Sequence, residues 1–329
     1  MIKLYVLTAM LEVFDRLLGS FGQDAFEALH AQTQSPAFHP ENVVTYVVLS
    51  LYVATHSFIY FTYVATLLVA VNSAEQALIT VLFLNNFAEI KSFVFKKFDR
   101  ISLFQLSCGD ITERFQLVLF LLLIMVVSVA QAGSNWLDAL YTQVFIFFVM
   151  LGGESVADWI KHAFIAKFNS LPSSMYEDML RVLRKDIIGL FRAAAVDDAE
   201  DVLDHNYSIT RRVGLSQIPL ACVSIRYLFL AMDSPLVKIY IDGLTSATYF
   251  SHIGIIFLSL LALKVSIGVC LIRLSGWLHN QDLRAKEAAT TAGAVASSAS
   301  REQEREHREA MRQLAHIERY TLYKGRVHG

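Results

Sequence analysis

From Val43 to Val71 the chain runs for 29 residues with His56 as its only readily ionisable side chain. About 20 apolar residues cross the hydrocarbon of a bilayer as a helix, because every backbone N–H and C=O inside it must be satisfied within the segment. A chain holding such a stretch is built around membrane-spanning helices. Phe115 to Ala132 is a second clear span. Leu137 to Leu151 is a shorter third that runs on through Gly152 and Gly153, with only four residues for the turn between them. Leu78 to Ile90 is weaker: Asn85, Asn86 and Glu89 interrupt its end, so it crosses only if buried among other helices, or else is re-entrant. Val213 to Met232 and Tyr249 to Leu274 complete the set, and Pro219, lacking a backbone donor, is expected to kink the former near its start. The expected fold class is therefore all-α: a polytopic helical membrane protein with five to six transmembrane helices, amphipathic interfacial helices and a partly disordered C-terminal tail. The charged fraction of 18% agrees, since soluble chains carry about a quarter.

Several function classes lose support at once. The net charge of −2 hides a strong segregation of bases, so the total offers no argument for nucleic acid. Cys108, Cys222 and Cys270 lie far apart, with no CxxC spacing, which suggests neither zinc nor redox chemistry. Glu12, Asp15 and Arg16 interrupt the first twenty residues, and no cleavable signal peptide is visible. No glycine-rich phosphate loop or catalytic triad can be assigned; Cys108 and Gly109 in LSCGD have no identifiable histidine and acid partners. The expectation is a non-enzyme with no catalytic residue, no cofactor and no metal.

The remaining segments are amphipathic or polar. In residues 1–42, Leu4, Leu7, Leu11, Phe14 and Leu18 recur at helical spacing, with Glu12 and Arg16 on another face, which predicts a helix against the membrane surface or the bundle. Residues 43–151 hold the first spans and a basic connection at 91–114, where Lys91, Lys96 and Lys97 alternate with Phe93, Phe95 and Phe98. Rings at headgroup level with ammonium groups on lipid phosphate fit that mixture, so membrane lipids are expected partners. Residues 152–212 read as amphipathic helices. One carries Val156, Ile160, Ala163, Phe164 and Phe168 opposite Glu154, Asp158 and Lys161. The next opens at a Ser174 and Glu177 capping box and carries a stripe of Leu180, Leu183, Ile187 and Leu190. The span pair occupies 213–274. The tail, 275–329, contains an Ala, Ser and Thr linker at 288–300, then a charged helical segment. Residues 91–114 hold five Lys or Arg, 152–212 eight and 273–329 ten, against one in 233–248 and none in 72–77 or 133–136. By the positive-inside rule the basic connections and the C-terminus are cytosolic.

Ionisable residues inside or beside spans are the candidate functional positions. Arg226 and Lys264 lie within spans, where a base costs about 2.5–3.5 kcal/mol on insertion scales. They either snorkel, pair with acids such as Glu89 or Glu154, or line a polar path; snorkelling or structural pairing is the plainer reading. Glu154, Asp158 and His162 fall at i, i+4 and i+8, a spacing that could serve a metal but more simply makes an interfacial polar face. The acids Asp197, Asp198, Glu200, Asp201 and Asp204 lack the glycine and alternation of a calcium loop and read as a solvated segment. His56 is a helix-to-helix hydrogen bond before it is a proton relay.

Seven ordered blocks, IKLYVLTAMLEVFDRLLGSFGQDAFEAL, NNFAEIKSFVFKKFD, LFQLSCGDITERF, DWIKHAFIAKFN, RRVGLSQIPLACVSIR, LALKV and IERYTLYKGRV, resemble the transmembrane anterior posterior transformation (Tapt) family. The blocks run from residue 2 to 327. The resemblance implies a multi-pass protein of the endoplasmic reticulum membrane. The role it implies is in folding and maturation of other membrane and secreted proteins, with a luminal or SUN-domain membrane partner and, in animals, a link to the cilium. It carries no catalytic residues to transfer. Family members have further membrane segments before the IKLYV block, whereas Met1 begins it here. The expected function is a scaffold or complex subunit supporting folding, maturation or trafficking. The alternative is a transporter or lipid scramblase that uses Glu89, Arg226 and Lys264.

Overall fold

The computed structural model describes residues 2–33, 41–72, 77–172, 174–196, 212–234, 238, 246–292, 305–309 and 311–312. The acidic run at 197–204 and most of the expected linker and terminal segment lie outside them. Regular structure among the described residues is helical: α1 (Ile2–Thr33), α2 (Glu41–Val71), α3 (Ala77–Val94), α4 (Arg100–Gln131), a 3-10 turn (Gly133–Asn135), α5 (Trp136–Phe168), α6 (Ser174–Val196), α7 (Gln217–Met232) and α8 (Ser246–Ala292). Among the described residues four helical stretches are long and apolar enough to cross a membrane: Val43–Val71, Arg100–Gln131, Gly133–Phe168 and Gly254–Ala285.

Three boundaries differ from the sequence expectation, each for a physical reason. The connection expected at 91–114 is mostly helix, because α4 starts at Arg100 and carries Asp110, Glu113 and Arg114 straight into the apolar run. The helix expected afresh at Glu154 is the continuation of α5, since Gly152 and Gly153 are helical and do not break it. The span expected at 213–232 is the 16-residue α7, roughly 24 Å long against a hydrocarbon thickness of about 30 Å. Gly214 before it has φ +73°, outside helical geometry. Pro219 sits in the first turn of α7, where an amide would have no intrahelical acceptor, so the expected kink has no cause. Weak span 78–90 lies in the 18-residue α3, which is not among the four long apolar stretches.

The chain divides into two compact units. The first comprises 1–97, 109–170 and 214–243. Its core is a set of helical stripes: Tyr60, Val64, Leu67 and Ala70 on α2, Phe120, Ile124 and Val127 on α4, Met150 on α5, and Leu220, Val223, Tyr227 and Ala231 on α7. Each stripe repeats every three or four residues, so it forms one helix face. In a bilayer such faces associate through close packing and a few hydrogen bonds, because lipid tails are as apolar as the side chains. The Tyr227 hydroxyl donates to the Phe61 carbonyl at 3.2 Å, and Gln116 Nε2 donates to the Tyr60 hydroxyl at 2.9 Å. α1 lies antiparallel on α2, with Gly22 facing Tyr52 and Asp15 facing His56.

The second unit comprises 98–108, 171–213 and 244–329. At 47 residues α8 is roughly 70 Å long, more than twice the hydrocarbon thickness of about 30 Å, so part of it stands clear of the lipid tails. On its polar part Asp282 accepts from Arg181 and Arg184 of α6, at 3.3 and 2.9 Å. The buried stripe of α6 is Met175, Met179 and Val182, with Asp178 beside it. Leu180, expected on the apolar stripe, is 57% exposed.

Asp99 sits just before α4 and its Oδ1 accepts the Ser102 amide at 2.9 Å, an N-cap that satisfies one of the helix's orphan donors. Burial pushes its pKa up, but the bonds from Ser102 outweigh that and hold it below the ordinary value. A depressed folded-state pKa means the cap's contribution is present above the ordinary carboxylate value and is lost as pH falls through the lowered one. Asp99→Ala is expected to cost about 1 kcal/mol of local helix stability. Hydrogen exchange at the first turn of α4 should quicken in the variant, and only the unsubstituted protein should show the acid-dependent loss of protection.

Candidate functional site

The apolar core occupies one end of the first unit's helices, and polarity rises towards the other. One step along α2, Tyr52, His56 and Tyr60 follow at intervals of four, with the His56 and Tyr60 rings stacked at 4.5 Å. His56 is fully buried; its Nδ1 lies 2.9 Å from the Tyr52 hydroxyl and its Nε2 2.7 Å from Asp15 Oδ1. The polar atoms of a lone histidine in an apolar span are thus met by its own helix and by α1. Nearby Arg16 bonds Glu12 at 2.7 Å and reaches Glu113 at 3.5 Å.

At the far end the charges converge on Lys161, which is 1% exposed. Its ammonium lies 2.9 Å from Glu89 of α3, 2.8 Å from Asp110 of α4 and 2.9 Å from Asp158 of its own helix. An ammonium has three N–H donors, and here three carboxylates receive them. The second oxygens are used too: Asp110 Oδ2 lies 2.7 Å from His162 Nε2, and Asp158 Oδ2 accepts Arg114 Nε at 2.6 Å. Asp110 and Asp158 are both buried. Such groups lose their hydration, so they persist only when each charge is paired and each lone pair is hydrogen-bonded. Three carboxylates are thus met by the Lys161 ammonium, the Arg114 guanidinium and the His162 ring.

Depth follows from helix length. Asp110 is 21 residues before Gln131 and Lys161 is 25 residues after Trp136, roughly 32 and 38 Å from the Gly133–Asn135 turn. With that turn at one boundary of a hydrocarbon layer about 30 Å thick, the network lies at the opposite boundary rather than the midplane.

The candidate residues divide accordingly. Glu89 and Asp158 meet on Lys161, and His162 joins through Asp110. Glu154 lies one turn before Asp158 on α5, outside the contacts to Lys161. Arg226 on α7 and Lys264 on α8 are exposed and outside the network. Oxygens of Glu89, Asp110 and Glu113 lie within 4.8 Å of one another, a spacing that suits a cation, but the Lys161 ammonium already contacts the first two. Asp158 and His162 turn to different partners, so the i, i+4, i+8 series does not converge on one point. Asp110, Arg114 and Asp15 escape sequence reasoning because 91–114 reads as water-facing and α1 as peripheral. The available signal is helical phase: Asp110, Glu113 and Arg114 continue the helix of the span that follows them.

The chain matches the Eukaryotic membrane protein family (DUF747) over residues 1–280. It is 38% identical over 240 residues to Protein TAPT1 homolog of Drosophila melanogaster, covering 70% of this chain and 34% of that protein. Transmembrane anterior posterior transformation protein 1 of Mus musculus is 36% identical over 229 residues, covering 68% and 39% respectively. Endoplasmic reticulum membrane protein 65 of Schizosaccharomyces pombe is 35% identical over 239 residues, covering 68% and 36%. The chain thus spans between a third and two fifths of the length of these relatives. No solved structure matches it significantly. The expected resemblance holds, and the chain belongs to the Eukaryotic membrane protein family.

Proposed function

We propose that the protein is a non-catalytic scaffold of the endoplasmic reticulum membrane, a complex subunit that supports folding, maturation or trafficking of other proteins beside a luminal or SUN-domain membrane partner. The observation that carries this reading is the closed ion network around Lys161. Its three donors go to three carboxylates of the same chain. A path for ions or headgroups needs polar groups that exchange partners with cargo across the full depth. A saturated cluster at one boundary instead fixes the register of α3, α4 and α5. The printed name of the fission yeast relative supports the compartment. The base-rich connections and C-terminus face the cytosol under the positive-inside rule. Activities of the longer relatives come to this chain as part of the same proposal.

The test is flux. Purified protein in liposomes should pass ions and scramble labelled phospholipid no faster than protein-free liposomes. Flux that Lys264→Leu abolishes would replace the scaffold with a transporter or scramblase.

A further inference from the structure

The apolar part of α8 is bounded in sequence by His252 and Arg273, which leaves 20 residues, enough to cross the hydrocarbon. Lys264 lies nine residues from Arg273 and twelve from His252, roughly 14 and 18 Å along the axis, and so within a few ångströms of the midplane. A four-carbon stem with bonds of about 1.5 Å falls well short of either boundary. Lys264 is exposed and has no ion pair among the described residues, and none of this span is buried within the chain. Around it Phe257, Leu260, Leu261, Val265 and Ile267 are likewise exposed, at 44–64%. One turn on, Gly268 has open space where a Cβ would stand, so another backbone can approach closely.

A cation at that depth requires a counter-charge at the same depth. Lipid phosphate lies at the boundary, too far away. A second copy of this chain is a poor source: Asp110 and Asp158 are saturated, Glu113 faces Arg16, and Glu154, 18 residues after Trp136 and so roughly 27 Å from the Gly133–Asn135 turn, lies near the boundary rather than the midplane. We infer that the Lys264 face of α8 docks a transmembrane helix of a different protein, one that carries an aspartate or glutamate near the middle of its apolar run. This rests on the scaffold reading and names the chemistry of the partner. The carboxylate pairs with the ammonium, and the Gly268 notch brings the two backbones together.

The test uses full-length protein in phosphatidylcholine vesicles with a labelled 21-residue leucine-rich helix carrying one central glutamate, alongside an all-leucine control. Energy transfer should report association at least about tenfold stronger for the glutamate helix, and Lys264→Leu should erase the difference. A Lys264→Glu protein should instead prefer a helix with a central lysine, a swap that a merely misfolded variant would not produce. Equal association of both helices with the unsubstituted protein, or a preference that survives Lys264→Leu, overturns the inference. The scaffold reading fails separately, through flux by the unsubstituted protein, whatever the helix result.

Discussion

Lys161→Met is expected to destabilise the bundle by about 3–5 kcal/mol, the usual cost of removing one partner from a buried ion pair. Glu89, Asp110 and Asp158 would face one another with the Arg114 guanidinium on Asp158 as the cation that still meets them, and at least one carboxylate would have to take up a proton or admit water. Thermal unfolding in mild detergent should show the loss, together with new protease cleavage near α3. The triple variant Lys161→Met with Glu89→Gln and Asp110→Asn should recover much of it, because Asp158 keeps Arg114 and the other charges needing a counter-charge are removed together. A single variant as stable as the parent would show that the network does not hold the helices.

Gly22→Ala should have the second largest effect. A Cβ there would overlap the Tyr52 ring, which is buried among the rings of Phe21, Phe26 and His56 and has little room to move. Overpacking of this kind typically costs about 1–3 kcal/mol. Moving Tyr52 also breaks the chain of bonds from its hydroxyl through His56 to Asp15, so α1 should loosen from α2. Pairing Gly22→Ala with Tyr52→Leu should cost less than the sum of the single changes, a coupling that unfolding of the four proteins measures directly. Additive losses would mean that the two positions do not meet.

The spans were legible because bilayer physics imposes length and apolarity together, as the stretch Val43–Val71 shows. The helix of residues 2–33 was legible from periodicity alone. Glu89, Asp158 and His162 stood out as charges beside apolar runs, but the atom that joins them could not be read locally. Lys161 looks like one residue of a polar face until Asp110 and Glu89 approach from helices 51 and 72 positions away in sequence. His56 met its partner across 41 positions for the same reason. Pairings between helices depend on rotation about each axis, and one sequence constrains that rotation weakly where a helix is apolar nearly all round. Lys264 shows the converse: its depth follows from counting residues, whereas its exposure required the folded chain.

The most direct test of the scaffold claim is native mass spectrometry of the tagged full-length protein, extracted in mild detergent from its own membranes. The account predicts a particle in which a second membrane protein with a luminal domain accompanies this chain near one-to-one. A stable, homogeneous particle made of this chain alone would contradict it.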